Sequence, residues 1–263
     1  MKIPAPTPIE GLHVRIIEKE TASTVITMGH PLDVDRHHED FHALWLAQST
    51  LGEHRQSSGR LFGIIREKRG LNYGDYAYIE PYVRHGRTTK PTLNIARSYP
   101  TFNVWIRSVP SENRLFALKL TFWALQKFAR EGITEQELAR TRGFLDGYTR
   151  VFEESLDRRL GYALDDLFHG AKTPFLEQAR ESFQTLTVED VNQAISEHLD
   201  MANMKVVIVT KDADALRQQL ADGAVAEVKY HTPKPEQILE QDEYIVALDP
   251  GIDESHIEVV AVE

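Results

Sequence analysis

His38, Glu39 and His42 form the pattern His-Glu-x-x-His, in which two imidazoles one helical turn apart can bind zinc. In such sites the glutamate acts as general base toward a metal-bound water. Here Asp40 adds a second charge inside the pattern, and residues 33–40 are highly polar, which is typical of an exposed helix start. We therefore predict a solvated helix start. A zinc site of His38, Glu39 and His42 is the alternative.

A second segment contains residues that could take part in binding or catalysis. It is residues 57–73, Ser-Ser-Gly-Arg-Leu-Phe-Gly-Ile-Ile-Arg-Glu-Lys-Arg-Gly-Leu-Asn-Tyr. It predicts a helix over 60–68 that ends at Gly70, followed by a strand from residue 73. Arg66 and Tyr73 stand seven residues apart across this helix, turn and strand. By composition alone, Arg66 would be a surface charge and Tyr73 would pack on the sheet. Lys68 and Arg69 are expected to be exposed charges.

The overall composition narrows the range of functions. The chain has 263 residues, with 30 Lys and Arg against 40 Asp and Glu, and a net charge of −10. This balance argues against nucleic acid as the main partner, because phosphate binding needs a basic surface. The absence of cysteine excludes disulfides, zinc–thiolate sites and thiol nucleophiles. No apolar run approaches the roughly 18 residues of a membrane-spanning helix, and no phosphate-binding glycine loop or nucleophile elbow occurs.

The elements that must position these residues follow from periodicity and from turn and cap residues. Strands are predicted at 12–18, 24–28, 73–79, 102–108, 204–210 and 224–230. Helices are predicted at 39–51, 60–68, 110–132, 134–152, 157–168, 174–184, 188–199 and in a short segment ending near residue 223. The aromatic residues of the two long middle helices are expected in the core. This order predicts an α+β fold, with helices packed on one face of a mainly antiparallel sheet.

Charge is distributed unevenly along the chain. Residues 236–263 contain nine acids and no Lys or Arg, so the chain up to residue 235 is almost neutral. The acidic part includes two strand-like runs, 244–248 and 257–262, and is expected to be ordered or to dock a partner. The basic segment 81–100 is expected to be a long solvated loop. Its alternative roles are lining a binding chamber or contacting a partner, through Arg84, His85, Arg87, Lys90 and Arg97.

Residues 57–73 resemble the second, non-catalytic half of insulinase-type zinc metallopeptidases, the family of pitrilysin and the mitochondrial processing peptidases. Its members typically read S-R-L-F…R-E-K-R-G-L-A-Y at this place. Weaker matches follow in the same order: Gly29-His30-Pro31, Leu51-Gly52, residues 132–138, residues 186–191 and the Val-rich strand 205–209. The resemblance covers about residues 10–230. It implies a processing-peptidase-like (LuxS/metallopeptidase-type) α+β domain over residues 11–232, with an entry segment at 1–10 and an acidic C-terminal extension at 233–263.

The resemblance also implies a function. Enzymes of this family consist of two similar halves, one of which binds zinc through His-x-x-Glu-His. That motif is absent here, since Thr50 stands where its first histidine would precede Glu53 and His54. The chain is therefore expected to hold no metal and to be inactive alone. The expected partners are a zinc-bearing catalytic half and peptide substrates, which Arg66 and Tyr73 would contact.

Two other classes of function stay open from the sequence. One is an autonomous zinc hydrolase that uses His38, Glu39 and His42, and the other is a purely structural subunit. A homodimer is a further alternative for assembly. The N-terminal segment lacks the apolar stretch of a signal peptide, so any export signal is expected upstream. The compartment is left open, with the periplasm favoured over the cytoplasm because bacterial relatives are often exported.

Overall fold

One six-stranded mixed sheet forms the framework of the protein. The structure, a computed structural model, describes residues 4–54, 56–80, 90–94 and 98–261. The strands are Leu12–Glu18 (β1), Ser23–Pro31 (β2), Asp75–Tyr78 (β3), Thr101–Pro110 (β4), Met204–Thr210 (β5) and Ile257–Ala261 (β6). Their order is β3-β4-β2-β5-β1-β6. The β3–β4, β2–β4 and β2–β5 pairs are antiparallel, whereas β1 pairs in parallel with β5 and β6. The predicted α+β class is confirmed.

Eight α-helices and one π-helix accompany the sheet in the described part of the chain. The α-helices are Phe41–Gly52 (α1), Arg114–Glu131 (α2), Glu135–Val151 (α3), Leu156–His169 (α4), Phe175–Thr185 (α5), Val188–His198 (α6), Ala213–Ala221 (α7) and Glu236–Ala247 (α8). The π-helix is Phe62–Glu67. Burial alternates along β2, so that one face of the sheet, with Ile26 and Met28, is covered by helices. No helix of this part is long and apolar enough to cross a membrane.

The core forms where the long middle helices meet the sheet and one another. Phe116, Phe122 and Phe128 of α2 are completely buried, as expected for aromatic residues of this helix. Trp123, Phe144 and Tyr148, also expected in the core, are only partly buried and pack against it. The predicted capping box at the start of α3 is also present. The Thr134 hydroxyl accepts a hydrogen bond from the Glu137 N–H, and the Glu137 carboxylate accepts one from the Thr134 N–H. Arg60 also donates two hydrogen bonds to this carboxylate, which links the segment before the π-helix to α3.

Two predicted strands are wrong. Residues 224–230 form no sheet ladder, because Asn113 bonds the N–H and C=O of Lys229 and the N–H of Ala226 donates to the carbonyl of Val246. The run 244–248 is instead the end of helix α8, whose Ile238 and Ile245 are buried. A short apolar run does not distinguish a strand from a buried helix turn. The strand predicted at 257–262 is confirmed as β6.

The acidic segment is part of the packed fold in the structure. Helix α8 contacts α2, and β6 pairs with β1 as the edge strand of the sheet. Lys119 of α2 donates hydrogen bonds to the carbonyl of Ala224, which follows α7, and to that of Val246 in α8. Order in this segment was expected from its strand-like runs, but one of the two elements is a helix.

Candidate functional site

The Arg66–Tyr73 segment begins in the π-helix. The N–H of Lys68 donates to the carbonyl of Gly63, five residues earlier, at 3.1 Å. π-Helical turns are rare and frequently occur at functional sites. Gly70 then reverses the chain with φ of +69°, a conformation that side chains with a Cβ rarely adopt. The N–H groups of Gly70 and Leu71 donate to the carbonyls of Arg66 and Ile65 and close the turn.

Arg66 and Tyr73 lie next to each other on this turn. The guanidinium carbon of Arg66 is 5.2 Å from the centre of the Tyr73 ring and 4.9 Å from that of Phe62. These are cation–π distances. Tyr73 is 80% exposed, so its phenol does not pack on the sheet as composition alone suggests. Arg66 is half-buried between the two rings. The two side chains therefore form one surface unit.

The backbone after Tyr73 is anchored to the sheet. The Asn72 side chain donates to the Asp75 carboxylate at 2.6 Å and to the carbonyl of Arg107 at 3.2 Å. The N–H of Arg107 donates to the carbonyl of Gly74 at 3.0 Å. Asp75 is completely buried, and burial raises its pKa to about 7 although the Asn72 hydrogen bond opposes this. The exposed Tyr73 thus stands on a turn that is hydrogen-bonded to the neighbouring strand on both sides of it.

Arg69 contradicts the expectation of an exposed charge. Its side chain is buried, and it donates to the Asp242 carboxylate of α8 at 2.8 and 2.9 Å and to the carbonyl of Ile64 at 3.0 Å. Asp242 also accepts a hydrogen bond from the Tyr230 hydroxyl. Arg69 lies after the end of the π-helix, and its contact with Asp242, 173 residues later, has no signal in the local sequence. Lys68 is exposed, as expected.

The structure separates the residues of the His-Glu-x-x-His pattern. His38 and Glu39 lie in the turn before α1, and Glu39 is exposed. His42 lies in the first turn of α1, where its Nδ1 is 2.8 Å from the Ser182 hydroxyl and its ring packs against Phe183. Burial lowers the pKa of His42 to about 4. A zinc hydrolase needs the two imidazoles on one helical turn, and this arrangement does not provide that.

His38 instead faces residues that the sequence pattern does not include. Its ring lies 5.2 Å from that of His198 at the end of α6, and both imidazoles approach the carboxylate of Asp40. Within the described ranges, these three residues are the one group of three or more His, Asp or Glu whose ligand atoms all lie within 4.8 Å of one another.

The basic loop is only partly described. Arg84, His85, Arg87 and Arg97 lie outside the described residues. Lys90 forms an ion pair with Glu154, just after α3.

The comparisons with known proteins show the family. The profile of the peptidase M16 inactive domain matches residues 2–145, and the chain belongs to this family. An uncharacterized zinc protease of Mycobacterium tuberculosis is 29% identical over 143 residues, which are 54% of this chain and 29% of that protein. A protein of the same description from Mycobacterium bovis matches to the same extent. The match thus spans less than a third of these relatives' length.

Solved structures share the fold. A peptidase M16 inactive domain from Pseudomonas fluorescens superposes with a TM-score of 0.66 and 23% identity, covering 80% of this chain and 46% of that one. A protease from Helicobacter pylori superposes with a TM-score of 0.61 and 17% identity, covering 80% and 48%. The resemblance inferred from residues 57–73 is confirmed, as is the α+β class.

Proposed function

We propose that this domain is the non-catalytic half of a two-part zinc metallopeptidase. In this proposal it completes the substrate chamber opposite a catalytic half, which binds the zinc and lies in the same parent chain or in a separate subunit. Membership of the inactive-domain family supports the non-catalytic part of this proposal. The relatives' description as zinc proteases supports the kind of enzyme.

Arg66 and Tyr73 are proposed to contact the peptide. In zinc-dependent hydrolysis, a metal-bound water attacks the scissile carbonyl and negative charge develops on its oxygen. An exposed phenol O–H and a guanidinium can donate hydrogen bonds to that oxygen or to the neighbouring peptide backbone. The observation that carries this proposal is their contact: the Arg66 guanidinium stacks on the Tyr73 ring, and both stand on a turn anchored to the sheet.

The test is a peptidase assay of the chain combined with its catalytic half. We expect Tyr73→Phe and Arg66→Ala each to lower kcat about 100- to 1,000-fold, because a lost donor to a developing oxyanion acts mainly in the transition state. Lys68→Ala, an exposed charge beside the same turn, is the matched control and should keep full turnover. If neither Arg66 nor Tyr73 affects turnover, the proposed contact with substrate is wrong.

The chain alone is expected to hydrolyse no peptides. Peptidase activity of the isolated chain that disappears in His38→Ala would contradict the proposal. Such a result would favour the autonomous hydrolase, which the geometry of His38 and His42 does not support.

A structural subunit is the second candidate function, and helix α4 favours it. Leu156, Leu160, Leu164 and Leu167 recur at helical spacing and are all exposed, which is unusual for one face of a helix. This apolar face is suited to contact the catalytic half. If assembly is the whole function, Leu160→Asp should abolish association with that half, whereas Tyr73→Phe should alter neither association nor turnover.

A further inference from the structure

His38, Asp40 and His198 come together where two helices meet. His38 and Asp40 lie in the turn before α1, and His198 is the last residue of α6, which packs against α1. The His198 Nε2 is 2.8 Å from the Asp40 Oδ2, and the His38 Nδ1 is 3.7 Å from the same oxygen. The two imidazole rings are nearly perpendicular, at 85°.

Two imidazoles and a carboxylate are a donor set that suits zinc and related divalent transition metals. Ligand atoms about 2.1 Å from one tetrahedral ion lie about 3.4 Å from one another. The two imidazole nitrogens lie 2.8 and 3.7 Å from the Asp40 Oδ2, and all three ligand atoms lie within 4.8 Å of one another. Side-chain rotation that releases the hydrogen bond from the Asp40 N–H to the His38 Nδ1, at 3.2 Å, would bring these atoms around one ion. The side chains are 35, 27 and 19% exposed, which leaves room for an ion to enter.

A cavity beside the cluster supplies a second observation. It has a volume of about 460 Å³, and His198, His30 and Asp200 are among the residues that line it. His30 is only 7% exposed, its Nδ1 is hydrogen-bonded to the carbonyl of Pro31, and its Nε2 has no hydrogen-bond partner among the residues that the structure describes. Buried polar atoms are nearly always paired. A free imidazole nitrogen therefore lies at the cavity that His198 borders.

We propose that His38, Asp40 and His198 bind one divalent transition-metal ion, zinc in the first place, which joins the start of α1 to the end of α6. This inference goes beyond the proposed function, because it assigns a metal to the non-catalytic domain itself. Glu39 is exposed and is not one of the clustered residues, so the glutamate of the His-Glu-x-x-His pattern is not part of this site. Its role is to stabilise the helix junction by binding the folded state.

The experiment is a zinc titration of the chelator-treated full chain by calorimetry, with Co²⁺ absorption as a spectroscopic measure of the ligand set. We expect one equivalent of zinc, a higher unfolding temperature with zinc, and binding weakened at least about tenfold by Asp40→Asn and by His198→Asn. Glu39→Gln is the matched control from the same turn and should bind zinc normally. His231→Ala, an exposed histidine elsewhere, is the control for surface binding.

The outcomes separate this site from its alternatives. Weaker binding in Glu39→Gln with unchanged binding in His198→Asn would overturn the proposal in favour of the His-Glu-x-x-His pattern. Absence of stoichiometric binding would also overturn it and leave the His198–Asp40 contact as a simple ion pair. Circular dichroism checks the fold of each variant. If His198→Asn fails to fold, the proposal is still tested by the zinc affinity of Asp40→Asn and by the Co²⁺ spectrum of the unmodified chain.

Discussion

The buried ion pair between Arg69 and Asp242 predicts that the acidic segment is integral to the stability of the domain. The two side chains are 0 and 6% exposed and lie 2.8 Å apart. Asp242→Asn removes the negative charge with almost no change in shape. It leaves the Arg69 guanidinium buried without its counter-charge.

The magnitude follows from the cost of an uncompensated buried charge. Breaking a buried pair by removing one partner costs about 3–5 kcal/mol. For a chain of this length, each kcal/mol lowers the unfolding temperature by about 2–4 °C. We therefore expect Asp242→Asn to unfold about 10 °C below the unmodified chain. The hydrogen bond that Asp242 accepts from Tyr230 adds to the loss where asparagine presents its NH₂ group.

The assay is thermal and urea unfolding followed by circular dichroism. Glu254→Ala is the matched control, because Glu254 is an acid of the same segment whose partner, Arg217, is also exposed. It should cost less than about 1 kcal/mol. The double variant Arg69→Met/Asp242→Asn should be more stable than Asp242→Asn alone, since it no longer buries an unpaired charge.

A loss for Asp242→Asn no larger than that for Glu254→Ala would refute this reasoning. It would mean that α8 does not hold Arg69 in solution and that residues 236–261 are not part of the cooperative unit. Hydrogen exchange across residues 240–261 gives an independent measurement. Slow exchange is expected in α8 and β6, and rapid exchange throughout would contradict the structure.

Two further predictions concern Asp75 at the start of β3 and a pair of glycines, one at the end of α2 and one within α3. Burial raises the pKa of Asp75 from 3.8 to about 7. Between these two pH values the folded chain keeps a proton on Asp75 that the unfolded chain has released. The free energy of unfolding therefore falls as the pH rises from about 4 through 7. Between about pH 5 and pH 8 this loss amounts to about 3 kcal/mol, and Asp75→Asn should remove it, as measured by urea unfolding at both pH values. If the variant and the unmodified chain show the same pH dependence, Asp75 is ionised in the folded chain. Gly132 has φ of +63°, and a Cβ there would lie 2.2 Å from the Asn192 side chain, so Gly132→Ala should cost about 1–3 kcal/mol. Gly147 of α3 has open space around it, so Gly147→Ala should instead stabilise the chain by about 0.5–1 kcal/mol; equal effects at the two glycines would contradict this account.

The elements with strong local signals were predicted correctly. Thr134 and Glu137 cap α3 through groups three residues apart, and Gly70 ends its helix through its own backbone freedom. These effects act within one or two turns, so the local sequence contains them. The strand predicted at 244–248 was wrong because its local sequence contains no such signal. Its five residues fit a strand or a helix, and packing of Ile245 against the core selects the helix.

The candidate site shows the same division. The resemblance in residues 57–73 predicts that Arg66 and Tyr73 both contact the substrate, and this remains a prediction. Their contact with each other was not predicted and is seen only in the structure. The exposure of Tyr73 was not predictable from its type, because a tyrosine beside a strand usually packs on the sheet. It depends on the turn at Gly70 and on the anchoring of Asn72 to the neighbouring strand.

By itself, the sequence determined the family through a resemblance over about residues 10–230 and the α+β class through the order of its predicted elements. It also determined the position of the Arg66–Tyr73 turn, because Gly70 marks the end of the preceding helix. Only the tertiary structure decided that Arg69 is buried against Asp242, 173 residues later. It also decided that His38 and Asp40 meet His198, 158 residues after Asp40, rather than His42. Contacts of this range depend on how α6 and α8 pack against the rest of the fold. Local periodicity specifies which face of a helix is apolar, but it does not specify which distant charge that face meets.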